Sequence, residues 1–430
     1  MTTAILIICI VFVGLLVLNT PVAVCIGLAT VATIAALGDV PTGYLTAQRM
    51  ASGISSFSLL AIPFFVLAGI LMGEGGMARR LMDFAFALVG RFRGGLAYVN
   101  TLTCMLFGAV SGSANAAVSS IGGFMIPQMV AKGYKREFAV AVTITSATTG
   151  LLIPPSNIMI VYAVVAGNVS VVALFLAGVV PGILVGLAIM LVSMIANLRS
   201  GMAASEKVPL PQVWRALRGA APSAFLVVLV FGGILGGVFS ATEASAIAVA
   251  YALVFGVGIY REVKIADLPN ILLRSAKTTS VVMLLVGTSQ AMSWVLAYEH
   301  IPQSVSKVIL SFSSEPWTIL LLINAVLLIV GMFMDMTPAV LIFTPIFLPV
   351  VTALGMDPVH FGIVMIANLC IGLCTPPVGT CLFVGCSIGG TTIARTTPPA
   401  IPFFLAMVVA LMLLTYIPAF SLWLPRLLNL

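Results

Sequence analysis

Charge is what this sequence has least of. Only 7% of its 430 residues are Asp, Glu, Lys or Arg, against about 25% in an ordinary soluble domain. With 61% hydrophobic residues, that shortage excludes a soluble globular protein and implies a polytopic membrane protein. Histidine is nearly missing too, with two copies at His300 and His360. Neither lies near the seven cysteines (Cys9, Cys25, Cys104, Cys370, Cys374, Cys381 and Cys386) in sequence, so no zinc site is expected. Those cysteines all fall in apolar segments and read as small core hydrophobes.

Other absences narrow the function. No Gly-x-x-x-x-Gly-Lys-[Ser/Thr] loop occurs, so no nucleotide cofactor is expected and ATP is not the driving force. No His-Glu-x-x-His and no acid pair at one depth supports an intramembrane enzyme. The net charge of +7 does not call for nucleic acid, because the basic residues sit in short loops between apolar runs and follow the positive-inside rule. The first run starts at Ala4 without a basic leader or a clear cleavage site, and reads as a retained span.

Apolar runs are present at about 4–18, 21–37, 58–74, 95–110, 116–130, 137–166, 170–196, 222–240, 244–260, 278–298, 317–331, 338–353, 359–389 and 400–424. A full span needs about 20 residues, and several runs are too short. The pair 95–110 and 116–130 surrounds Ser111-Gly112-Ser113-Ala114-Asn115, and the pair 317–331 and 338–353 surrounds Met332-Phe333-Met334-Asp335-Met336-Thr337. Each pair reads as a re-entrant hairpin with a polar tip. The long runs 137–166 and 359–389 carry Gly150-Leu151-Leu152-Ile153-Pro154-Pro155 and Gly372-Leu373-Cys374-Thr375-Pro376-Pro377. Proline lacks a backbone donor and clashes with the preceding turn, so each run reads as a broken helix. Freed backbone groups at bilayer depth are tolerated only beside protein or a watery cavity. Two such breaks in corresponding positions point to a transporter site at the midplane. The stretch 38–57 remains unplaced, as an interfacial or bracing helix.

The two halves repeat. A shift of 222 residues superimposes Pro127 on Pro349, Gly133 on Gly355, Gly150 on Gly372, Pro154 on Pro376, Pro155 on Pro377 and Gly167 on Gly389. Ten identities fall in the 41 positions from 127 to 167. Basic residues then orient the chain. Arg79, Arg80, Arg91 and Arg93 precede the first hairpin, and Lys132, Lys135 and Arg136 follow it. The basic loop with Arg199, Lys207, Arg215 and Arg218, the stretch from Arg261 to Lys277, and Arg395 complete the set. Sixteen of the nineteen basic residues are expected in the cytoplasm, with Arg49, Lys307 and Arg426 the exceptions. This orientation makes the two repeats inverted. The expected fold is an all-α polytopic membrane protein with inverted repeats, two re-entrant hairpins and two broken helices. Its expected divisions are scaffold 1–94, first transport repeat 95–169, scaffold and connections 170–316, second transport repeat 317–397, and a last span 398–430.

The arm before each tip ends there, and its carbonyls favour a cation. The arm after it begins there, and its amides favour an anion. Sodium takes backbone carbonyls together with hydroxyls, and Ser111, Ser113, Thr375 and Thr380 are placed to supply the latter. Asn115 and Asn157 offer amides to a polar substrate, and Asp335 is an acid at a tip, by default a functional candidate. Glu243, three residues after Ser240, reads as a helix cap.

Several ordered motifs resemble one family across essentially the whole chain. They are Leu59-Leu60-Ala61-Ile62-Pro63-Phe64-Phe65-Val66-Leu67-Ala68-Gly69, Ser111-Gly112-Ser113, the stretch from Ile126-Pro127 to Gly133-Tyr134, Ile153-Pro154-Pro155-Ser156, Ala241-Thr242-Glu243-Ala244 and Thr375-Pro376-Pro377-Val378-Gly379. They look like the large membrane subunit of tripartite ATP-independent periplasmic (TRAP) transporters. The resemblance implies a bacterial inner-membrane protein that works with a small four-helix membrane subunit and a periplasmic substrate-binding protein. It implies sodium-coupled elevator import of an organic acid. Two sodium sites would match Gly108, Ser111, Gly150, Ile153 and Pro154, and Gly331, Gly372, Thr375 and Val378. The sequence departs from relatives at Ser113-Ala114-Asn115, where they often carry small residues and Pro. The rivals are a single-component sodium/dicarboxylate carrier, a channel and, from another class, an intramembrane enzyme.

Overall fold

Two helices buried on every side over most of their length form the centre of this protein. The computed structural model describes residues 2–18, 20–38, 41–92, 94–199, 210–312 and 315–428. Arg93 and Lys207, and the Arg199 side chain, lie outside the described residues. Among the described residues the chain is helical and contains no strand.

In chain order the helices are α1 (Thr2–Val17), α2 (Val22–Leu37), α3 (Thr42–Ile54), α4 (Ala61–Glu74), α5 (Met77–Val89), α6 (Gly95–Ser111) and α7 (Ala114–Ala131). There follow α8 (Arg136–Thr149), α9 (Asn157–Ala166), α10 (Val171–Arg199), α11 (Leu210–Leu235), α12 (Ala241–Leu253) and α13 (Leu268–Tyr298). The last are α14 (Ile301–Phe312), α15 (Pro316–Phe333), α16 (Met336–Ala353), α17 (Pro358–Gly372), α18 (Thr380–Gly389), α19 (Ile393–Tyr416) and α20 (Ala419–Leu427). Among the described residues, eight helical stretches are long and apolar enough to cross a membrane.

The central pair is α8 and α17. Every residue from Ala139 to Thr149 and from His360 to Gly372 is buried. The four threonine hydroxyls on α8 are satisfied within the helix, as where Thr143 and Thr145 donate to the Ala139 and Ala141 carbonyls at 2.8 Å. Helices α6 and α7 pack on α8, as α15 and α16 do on α17. The halves also interlock, because α7 lies against α18 and α16 against α9.

The halves correspond in bonding detail. Thr101 on α6 shares a 2.9 Å hydrogen bond with Ser146 on α8. At the matching place Asn368 on α17 donates to Asn324 on α15 at 2.8 Å. The offset is 222 residues for α8 and α17 but 223 for α6 and α15, because one more residue separates Gly108 from the start of α7 at Ala114 than separates Gly331 from the start of α16 at Met336.

Several elements differ from the expected runs. The segment 75–94 contains α5, which turns Met77, Ala78, Leu81, Met82 and Ala85 inward while Arg79 stays exposed, so no long apolar run marks it. The amphipathic α14 is hidden in the same way. Helices α11 and α13 begin well before their apolar runs. The final run is divided at Ile417-Pro418, where proline supplies no amide to continue α19. The unplaced stretch 38–57 holds α3, which braces α13 and α2. Glu243 caps α12 as expected, in a reciprocal capping box with Ser240. Six of the seven cysteines are buried, and Cys9 is exposed.

Candidate functional site

The two tips are built by helix ends. Helix α6 stops at Ser111 because Gly112 turns left-handed at φ 58° and donates its amide to the Gly108 carbonyl at 2.9 Å. A Cβ on Gly112 would lie 2.8 Å from the Asn157 amide nitrogen. Ser113 then caps α7, its Oγ accepting from the Ala116 amide at 3.3 Å. In the second half Asp335 takes the N-cap position of α16. The Thr380 hydroxyl, from the far side of the second break, donates to Asp335 Oδ1 at 3.2 Å.

The two breaks are built alike. Helix α8 stops at Thr149 and α9 resumes at Asn157, while α17 stops at Gly372 and α18 resumes at Thr380. Both Pro-Pro peptides, Pro154-Pro155 and Pro376-Pro377, are cis. Among the described residues, the carbonyls of Gly150, Ile153 and Pro154 accept no hydrogen bond. The same holds for Thr375, Pro376 and Val378. Ile153 and Thr375, and likewise Pro154 and Pro376, are partners in the 222-residue repeat. Gly379 donates its amide to the Met332 carbonyl at 3.2 Å, which ties the second break to the arm α15.

Tips and breaks converge on one cavity of about 460 Å³. Ser113, Asn115, Asn157 and Asp335 line it, with Leu151 and Leu373 from the two breaks. Among the described residues no Lys, Arg or His lines it. Helices α7, α9 and α16 all begin at its wall, and their exposed amides and positive dipole ends suit an anion. Asn115 Oδ1, Asn157 Oδ1 and Ser156 Oγ are buried and have no hydrogen-bond partner among the described residues. Buried polar atoms in that condition are costly, and a polar ligand or water would satisfy them.

The remaining expected residues divide between the tips and breaks. Gly108, Ser111, Gly150 and Pro154 are buried at the first, with Ile153 half-buried. Ser111 Oγ donates weakly to the Ser113 carbonyl at 3.5 Å. Gly331 and Gly372 are buried at the second, where Thr375 donates to the Ile371 carbonyl at 2.7 Å. Val378 is 46% exposed. Thr380 does not line the cavity but holds Asp335, which does.

Sequence reasoning missed part of the wall. Ile62 and Val66 on α4 and Thr278 and Val282 on α13 also line the cavity. The run 59–69 stood out as a motif, but no feature marked Thr278 as anything but a helix residue.

An all-helical membrane protein whose interrupted helices meet at an internal polar cavity is a multi-pass transporter. The chain belongs to the family described as "Tripartite ATP-independent periplasmic transporter, DctM component", whose model matches residues 9–420. It is thus a TRAP large permease subunit in the inner membrane, and not an enzyme. Protein YgiK of Salmonella typhimurium is 49% identical over 97% of this chain and 96% of its own. The C4-dicarboxylate TRAP transporter large permease protein DctM of Pseudomonas aeruginosa is 43% identical over 86% of each. In fold, the chain resembles the YdaH transporter of Alcanivorax borkumensis, with a TM-score of 0.61 at 13% identity, covering 85% of this chain and 86% of that one.

Proposed function

We propose that this subunit imports a small organic anion, a carboxylate, by sodium symport. The matched unpaired carbonyls at the two Pro-Pro breaks carry this reading. They leave oxygen donors at equivalent places in two repeats, with the Thr375 hydroxyl in the second break itself and Ser111 on the arm whose Gly108 meets Gly150 at the first. Hard monovalent cations take such neutral oxygens without a buried counter-charge. One sodium ion sits with Gly108, Ser111, Gly150, Ile153 and Pro154, and another with Gly331, Gly372, Thr375 and Val378. The anion lies between them, against Ser113, Asn115, Asn157 and Asp335, and Thr380 steadies the acid. With no Lys, Arg or His among the described lining residues, helix N-termini and the two sodium ions balance the charges of the anion and of Asp335.

The repeats 95–169 and 317–397 are inverted in the membrane and move as a body past the remaining helices. A small four-helix membrane subunit and a periplasmic binding protein complete the transporter, and the binding protein delivers the acid. The relative from Pseudomonas aeruginosa, named for C4-dicarboxylates, supports a carboxylate cargo. The test is uptake of a panel of carboxylic acids by proteoliposomes holding all three components, with and without a sodium gradient. Accumulation only with inward sodium and binding protein is expected. Uptake by this chain without the binding protein would favour a single-component carrier, and uptake indifferent to sodium would overturn symport.

A further inference from the structure

A second cavity, of about 370 Å³, lies on the same seam as the first. Helix α9 reaches both, with Asn157, Ile158 and Val161 on the first and Ala163, Val164 and Gly167 on the second. Helix α13 also reaches both, through Thr278 and Val282 and then through Gln290. At 1.5 Å per residue, Gln290 stands about 18 Å along α13 from Thr278. The second cavity therefore sits toward the end of α13 that lies away from Arg274 and Lys277. Its polar wall is Ser52, Ser56, Ser58 and Gln290.

A cation lies one helix turn from this wall. Arg49 lies one turn before Ser52 and Gly53 on α3, and Trp294 lies one turn beyond Gln290 on α13. The Arg49 guanidinium sits 5.5 Å from the Trp294 ring centroid. The two helices approach because Gly53 has no side chain; a Cβ there would lie 2.6 Å from Gln290 Cβ. Arg49 is exposed, and no ion pair occupies it among the described residues. The aromatic face holds the guanidinium plane while leaving its N–H donors free for a carboxylate.

We propose that this outer cavity is a capture site for the transported organic anion. Arg49 takes a carboxylate beside the wall, and Ser52, Ser56, Ser58 and Gln290 supply neutral hydrogen bonds inside. Its volume is close to that of the first cavity, so the same ligand fits both. The first cavity has no protein cation among its described lining residues, so Arg49 is the fixed positive charge that concentrates anions at the start of the path. The proposal rests on the reading above, in which the cargo is a carboxylate and the basic loops face the cytoplasm.

The test is a charge-sensitive labelling experiment on Ser56→Cys in intact cells carrying the full transporter, in a Cys9→Ser background. The probes are the anionic sulfonatoethyl and cationic trimethylammonioethyl methanethiosulfonates. From outside, the anionic reagent is expected to gain on the cationic one relative to their rates with a free thiol. Arg49→Gln is expected to lower that ratio about fivefold, as loss of one nearby charge in a wet cleft does, and Arg49→Lys to keep it. In proteoliposomes Arg49→Gln raises the acid concentration for half-maximal uptake and leaves sodium dependence unchanged. A labelling ratio indifferent to Arg49→Gln overturns the proposal, as does labelling only from the cytoplasmic side. Sodium-independent uptake with an intact labelling ratio would instead sink the symport reading and leave the capture site standing.

Discussion

Gly108 and Gly150 meet backbone to backbone: a Cβ built on Gly108 would lie 2.5 Å from the Gly150 Cα. Gly331 and Gly372 repeat the contact in the second half, where a Cβ on Gly372 would lie 2.5 Å from the Gly331 Cα. Each contact presses the arm before a tip onto the start of a break. Gly108→Ala and Gly150→Ala are each expected to destabilise the protein by about 1–3 kcal/mol, the usual cost of overpacking. Thermal unfolding in detergent reads this. Gly123→Ala, inside α7 where nothing lies within 4 Å, serves as the control and is expected not to lower stability.

Sodium dependence is expected to weaken in Ser111→Ala and in Thr375→Val. Each change removes one hydroxyl beside the free carbonyls and leaves the backbone donors in place, so the half-saturating sodium concentration rises while maximal uptake survives. A sodium titration of uptake identical to the parent would remove that residue from the site.

Asp335 and Thr380 link the second tip to the far end of the second break. Asp335→Asn removes the charge with little change of shape and is expected to slow uptake roughly tenfold, the worth of one charge-assisted hydrogen bond. Thr380→Val leaves the acid in place without its donor and is expected to cost less. Initial uptake rates in proteoliposomes rank the two, and a larger loss in Thr380→Val would reverse the assigned roles.

Tyr162 joins the halves in another way. Its hydroxyl donates to the Pro358 carbonyl at 2.7 Å, and its ring is fully buried against Gly362. Tyr162→Phe keeps the ring and removes that one bond, while the Pro358 carbonyl keeps its place in the α17 ladder, so a loss of about 0.5–1.5 kcal/mol is expected. Detergent melting curves check it, and an unshifted curve would mean the bond contributes nothing.

The charge map predicts topology. Single cysteines at 132–136, introduced into a Cys9→Ser background, are expected to react with impermeant reagents only from the cytoplasm. Labelling from outside would invert the orientation.

Much of the site was legible because helix breakers in apolar runs have few explanations. Gly150, Pro154, Pro155, Gly372, Pro376 and Pro377 announced the breaks, and Ser111-Gly112-Ser113 and Asp335 announced the tips. Helices α5 and α14 were not legible, since each shows a polar face and forms no long apolar run. Thr278 and Val282 were hidden for another reason: cavity-facing residues on an intact helix look like any others.

The sequence by itself determined where helices end, since glycine and proline act locally on the backbone wherever the chain takes them. It also determined the membrane class, because so little charge leaves no other solvent for so much apolar surface. Only the tertiary structure decided which ends meet. The convergence of α7, α9 and α16 on one cavity depends on packing between segments more than 150 residues apart. Shape and close approach set that packing, as at Gly108 and Gly150, and no local pattern encodes it.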